Sequence, residues 1–318
     1  MGLTLVELLV AMVISLVIAF AAVSSLTVSR RGLTTVDAAA QLGDNARFAR
    51  ALLLRLGAQA GFHDVEYAAT PRTNNTVGVS GTAAPNVSGV NNAVPSYTDP
   101  YNSYTTRITG SVGYGSDILI LRNQAVETFP GSGVSDKTMI DCLGNPSTTV
   151  PVDRDDRMVS VLYVDISQGE PSLMCSTGPS NAQPIISGVE SFQVLYGVSG
   201  VTPNAAPTGT ALAATVADRY LRADQMVVPG DAAATNANWS RVRSLRIGIL
   251  LRGAPGSVQQ NHAQTFYPLG LAKASATSEA GSAMSSASDP GTIVNAPADG
   301  RLRQTVTFTI HLRNDQGL

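Results

Sequence analysis

The strongest constraint in this chain is a run of 22 residues, 8–29, that carries no charged side chain, with Glu7 before it and Arg30 and Arg31 after it. At about 1.5 Å per residue a helix of that length crosses a hydrocarbon core of about 30 Å. A membrane-spanning helix is therefore the simplest reading. Glu7 is the one charged side chain before Arg30, and no basic residue stands within helical reach of it. A carboxylate at the edge of such a run costs about 3 kcal/mol unless it finds a partner, so it needs a use. A secretory signal peptide fits the small residues Ala19-Phe20-Ala21, with Ala22 as the new N-terminus, but it wants a basic segment that residues 1–6 do not supply. N-myristoylation fits Met1-Gly2, but Val6 stands where Ser or Thr is expected. A plain signal anchor leaves Glu7 without a role.

The helical pattern continues past the apolar run. Leu42, Ala46, Ala49, Leu53, Leu56 and Ala60 recur in alternating steps of four and three, which places them on one face of a helix. Arg47, Arg50 and Arg55 fall off that stripe and are expected in solvent. Gly61 is a natural stop, and no proline precedes Pro71. The spacing predicts one helix from residue 3 to about residue 60. The competing reading is an anchor plus a separate core helix, broken near Gly32.

Beyond Gly61 the period changes to two. "TVTFTIHLR" (305–313) and "LRIGILL" (245–251) alternate as half-buried strands. Further strands are expected at 117–122, 158–166 and 189–198, with weaker candidates at 171–175 and 183–186. Residues 216–224 suit a short helix. The polar stretches 69–116, 199–215 and 273–298 read as long surface loops. The expected class is α+β: a long N-terminal helix packed on a large antiparallel head. With 44% hydrophobic residues in 318, one sizeable core is affordable.

Two cysteines, Cys142 and Cys175, suit a single disulfide closing a loop of about thirty residues in an exported chain, the alternative being two reduced, buried thiols. Net charge is −2, with 14% charged residues, and no basic field points to nucleic acid. Arg241, Arg243 and Arg246 read as a solvated strand face. Asp153, Asp155 and Asp156 read as a solvated turn, because Arg154 and Arg157 interrupt them and no EF-hand glutamate follows. Phosphate loops, zinc motifs and nucleophile elbows are not found in the sequence, so no enzyme, cofactor or metal is expected.

The stretch Gly2-Leu3-Thr4-Leu5-Val6-Glu7 resembles the class III signal of type IV prepilins and pseudopilins, in which glycine, a hydroxyl residue and glutamate stand in register before an apolar helix. The resemblance implies cleavage by a prepilin peptidase after Gly2, methylation of the new N-terminus at Leu3, and an assembly register set by Glu7 with Thr4. An incoming subunit would bring its own Leu3 amine, cationic at neutral pH, to a neighbour's Glu7 and neutralise both. The competing reading leaves Glu7 in the headgroup layer. Prepilins carry a short basic leader where this chain has Met1-Gly2, so a start further upstream is expected.

Three distal blocks, "ISGVESFQVLYGV", "WSRVRSLRIGILLR" and "RLRQTVTFTIHLRN", resemble those of PilW-type minor pilins. This implies residues 1–2 as leader remnant, 3–29 as filament-core helix, 30–61 as its amphipathic continuation and 62–318 as a β-rich head. Implied partners are other minor pilins, the major pilin, the prepilin peptidase, the inner-membrane assembly machinery and, before assembly, lipid. The implied location is the bacterial inner membrane with the head in the periplasm, then the pilus. Arg30-Arg31, read by the positive-inside rule alone, would place the head on the opposite side. The alternatives are a minor pseudopilin of a type II secretion system and, in a different class, an anchored or secreted β-rich adhesin.

Overall fold

A computed structural model describes residues 4–68, 70, 84–208, 216–258, 262–270, 286 and 288–314. Helix α1 (Leu5–Gln59) runs unbroken for 55 residues, about 80 Å, straight through Gly32. All six stripe positions from Leu42 to Ala60 are buried, and Ala38 extends the stripe by one turn. Arg47, Arg50 and Arg55 are exposed as expected. The chain leaves the helix at Gly61, whose φ of 75° is the left-handed turn that glycine adopts without strain.

The head is built from antiparallel strands. One sheet has the order β1 (Val87–Val90), β4 (Ile118–Asn123), β5 (Met158–Ser167), β6 (Glu170–Gly178), β7 (Asn181–Ser187). A hairpin, β2 (Ala93–Pro95) with β3 (Tyr104–Thr106), covers its outer face over Ile118, Ile120, Val161 and Tyr163. That sheet is therefore buried on both sides, which is why β4 reads as a continuous apolar run rather than an alternation. The second sheet has the order β13 (Arg303–His311), β10 (Val242–Arg252), β8 (Val189–Val198), β9 (Arg219–Leu221). A small ribbon pairs β11 (Gln264–Phe266) with β12 (Val294–Ala296), and short helices α2 (Val65–Ala68), α3 (Ala223–Met226) and α4 (Ala232–Trp239) complete the described residues.

The main core lies between the two sheets and the buried stripe of α1. Leu42, Leu53 and Leu56 meet Phe308 and Ile310 of β13, Leu312 just beyond it, and Leu245, Ile247 and Ile249 of β10 in one cluster. Gly57 sets how closely α1 approaches β13, because a Cβ there would stand 2.5 Å from Ile310 Cγ2. Gly188 alone carries the chain from β7 in one sheet to β8 in the other. Its N–H donates to Pro171 O at 2.8 Å and its carbonyl accepts from Arg252 N at 2.7 Å, so one residue ties both sheets together.

Several expectations need correction. Residues 216–224 do not form a helix: Arg219–Leu221 add to the edge of β8 and only then does the one-turn α3 begin. The stretch read as a loop at 69–116 holds β1, β2 and β3, while 69 and 71–83 lie outside the described residues. The stretch at 273–298 holds β12. Asp153 is not solvated: it is 1% exposed, and its Oδ1 accepts the N–H groups of Asp155 and Asp156 at 2.8 and 3.0 Å, tightening the turn. Arg243 is likewise 3% exposed, its guanidinium donating to Ser240 O and Val242 O. Of the expected solvated basic face, Arg243 is folded in, while Arg241 and Arg246 are half-buried.

Candidate assembly helix and its anchorage

Thr4 and Glu7 come together at the start of α1. Thr4 N and Thr4 Oγ1 donate to Glu7 Oε2 at 2.9 and 3.0 Å, and Glu7 N donates back to Thr4 Oγ1 at 3.4 Å. This reciprocal capping box satisfies donors that the first turn leaves without helical acceptors. It gives Glu7 a local partner that sequence spacing alone did not single out. Gly2 and Leu3, the expected cleavage and methylation positions, lie outside the described residues.

From Leu5 to Asp37 the helix makes no packing contact that buries it. Leu5, Leu16, Ile18 and Phe20 are 76, 72, 63 and 76% exposed, and the apolar faces point in every direction. The segment projects about 50 Å beyond the first buried position, Ala38. A helix apolar all round is stable only inside an apolar medium, whether lipid or other helices. Its hydroxyls fit that medium: Ser15, Ser24 and Thr27 donate to Ala11, Ala21 and Ser24 carbonyls of their own helix at 2.6, 2.9 and 2.8 Å.

The other end of α1 is fastened to the head. Beside Gln41, Leu42 and Asn45 lies an ionic cluster that the sequence did not announce, since its members are spread from residue 170 to 303. Glu170 accepts from Arg252 at 2.7 Å and Arg301 at 2.9 Å, while Glu190 accepts from Arg303 at 2.7 Å and Arg252 at 3.1 Å. Asp299 closes it onto Arg303 at 2.6 Å. Three cations meet three anions, so the cluster is neutral as a whole. Burial would push the Glu170 carboxyl up, but hydrogen bonds from Arg301 and Arg252 outweigh it and hold the group below its ordinary value. Burial would likewise lower Arg303, but Asp299 and Glu190 raise it. The only clear signal in the sequence was Arg301 and Arg303, two apart at the start of β13.

Cys142 and Cys175 are joined in a disulfide with Cα atoms 5.8 Å apart. It pins the long connection 124–157 to β6, and the Cys142 N–H donates to Ser160 Oγ at 3.0 Å. Among the described residues no group of three or more His, Cys, Asp or Glu is placed to hold a metal ion.

Comparison with known proteins bears on the head. No curated protein matches the chain. Among solved structures the chain aligns with a type IV-like pilin from Thermus thermophilus at 15% identity, over 86% of this chain and 97% of that one, with a TM-score of 0.36. Residues 161–314 match the family model for the type IV pilus-assembly protein W, and this span contains all three distal blocks and both major strands that hold α1. Over that span, from β5 to the end of the described chain, the protein carries the pattern of the PilW family of type IV pilus-assembly proteins.

Proposed function

We propose that this chain is a minor pilin of a type IV pilus, held in the bacterial inner membrane by α1 with its head in the periplasm, and then drawn into the filament to help initiate assembly at the tip. The observation that carries this reading is α1 itself: one continuous helix, packed on the head by a buried stripe from Ala38 onward, with its apolar run 8–29 exposed. Such a helix has to be covered by lipid first and by neighbouring helices later. The PilW-family match over 161–314 supports the pilus rather than another use of an anchored head.

In the proposed mechanism the prepilin peptidase cuts after Gly2, and Leu3 becomes a methylated, cationic N-terminus. Other minor pilins, the major pilin and the assembly machinery of the inner membrane are the partners. Glu7 receives the Leu3 amine of a neighbouring subunit and so sets the axial register. Thr4 acts as a positioning residue. Both of its donors converge on Glu7 Oε2, which directs Oε1 to the incoming cation. A helix docked out of register would leave one carboxylate and one ammonium unpaired in an apolar medium, which costs several kcal/mol.

The test is Glu7→Ala in cells, with pilus content and membrane fractionation measured together. Incorporation into filaments should fall at least tenfold while membrane insertion stays unchanged; normal piliation would remove the role. Mass spectrometry of the mature N-terminus separates the readings directly: methylated Leu3 supports the pilin, Ala22 supports signal-peptidase cleavage, and Met1 supports a plain anchor.

A further inference from the structure

We propose that the end of the head farthest along α1 from Leu5 holds a binding site for a phosphate-type oxyanion, in the cleft that opens where α1 gives way to Gly61-Phe62-His63. The cleft has a volume of about 690 Å³ and is walled by chain from 61–63, 154–157 and 313–314, with Asn236 and Ser240 beside them. That volume lies within the range of ligand sites, about 300 to 1,000 Å³.

Its charge is unbalanced. Arg154, Arg157 and Arg313 line it against a single carboxylate, Asp155. Arg157 is committed to the fold, donating to Asn86 Oδ1 and Ala84 O at 2.5 and 2.8 Å and lying 3.7 Å from Asp155. Arg154 and Arg313 are both exposed, and neither side chain has a hydrogen-bond or ion-pair partner among the described residues. The contrast with the neutral cluster of three arginines and three acids at the other end of the head is direct.

His63 adds an independent observation. Its Nδ1 is buried and has no hydrogen-bond partner, which a polar atom in a folded protein rarely tolerates. Burial, then the positive charges of Arg157 and Arg154, hold the imidazole below its ordinary pKa, against the opposing effects of the Gln124 hydrogen bond and Asp155. An anion in the cleft would oppose the arginine effect on the imidazole. Donors from three separate chain segments suit the three acceptor oxygens of a phosphate group better than the single plane of a carboxylate. The site does not depend on the pilus reading.

The experiment titrates the whole chain, in detergent micelles, with sodium phosphate against sodium chloride at constant ionic strength, following the His63 ring by NMR. A saturable shift with phosphate, together with a rise in the pH at which His63 titrates, is expected. The double variant Arg154→Gln with Arg313→Gln should weaken binding by about tenfold or more with its far-UV circular dichroism unchanged. Glucose 6-phosphate serves as the second probe: tighter binding than inorganic phosphate assigns the oxyanion to an organic molecule, and equal binding assigns it to the free ion. A response that never saturates, that chloride reproduces, or that survives in the double variant would overturn the proposal.

Discussion

The two halves of α1 share one backbone and differ in what surrounds them. Between Leu8 and Ser29 the apolar residues go all the way round, and none of the eighteen-residue window that could cross a membrane is buried. From Ala38 to Ala60 they contract to one stripe of alanine and leucine, with arginines turned outward. The lesson is that a helix records its solvent in the width of its apolar face. The first half leaves its partner open; the second names β13 and β10.

The largest effect expected from breaking this contrast is at Leu53. It is fully buried, so Leu53→Ala should cost about 2 to 5 kcal/mol of head stability. Leu16→Ala, at a position 72% exposed, should leave the melting temperature of the head unchanged. Equal melting shifts in the two variants, measured by circular dichroism in micelles, would mean that the halves are not energetically separate. Next comes Gly57→Ala, whose methyl would press on Ile310; it should cost about 1 to 3 kcal/mol, whereas Gly32→Ala, with open space around it, should be neutral or slightly stabilising.

The smallest effect is a pH response confined to the head. Asp289 is pushed up to about 6 by burial, even though a hydrogen bond from Asn91 and the charge of Arg222 pull it down. Its unfolded value is about 3.9, so the folded state holds the proton more tightly. The stability it contributes is complete below about pH 4 and is lost as pH rises through about 6. Asp289→Asn should flatten that part of the curve of denaturant midpoint against pH. An unaltered curve would show that other groups, such as the fully buried Asp117, set it.

What could be read from the sequence follows from range. The stripe of α1 and the alternation in β13 are local patterns, and local period suffices to place them. Strands β1, β2 and β3 are three or four residues long and contain Ser, Gly and Pro, so they carry no period; pairing with distant residues such as Leu121 creates them. Helix α4 did have a signal in Asp231, whose side chain accepts from Ala234 N at 2.8 Å, but its alanines and asparagines form no stripe. Asp153 and Arg243 were expected in solvent because polar residues usually are, and only the packed fold shows what covers them. At the candidate site, the residue types of Thr4 and Glu7 were legible, and their mutual hydrogen bonds were not.

The hydroxyls of Ser15, Ser24 and Thr27 have one further consequence. Each donates its proton to a carbonyl of its own helix within four residues, so these three side chains ask for no donor contact with whatever lies beside them. Exchanging fluid acyl chains for protein neighbours then breaks none of these three hydrogen bonds, and at those positions shape decides where the helix stops. Transfer between the two phases becomes a nearly reversible partition, biased at one end by a single carboxylate.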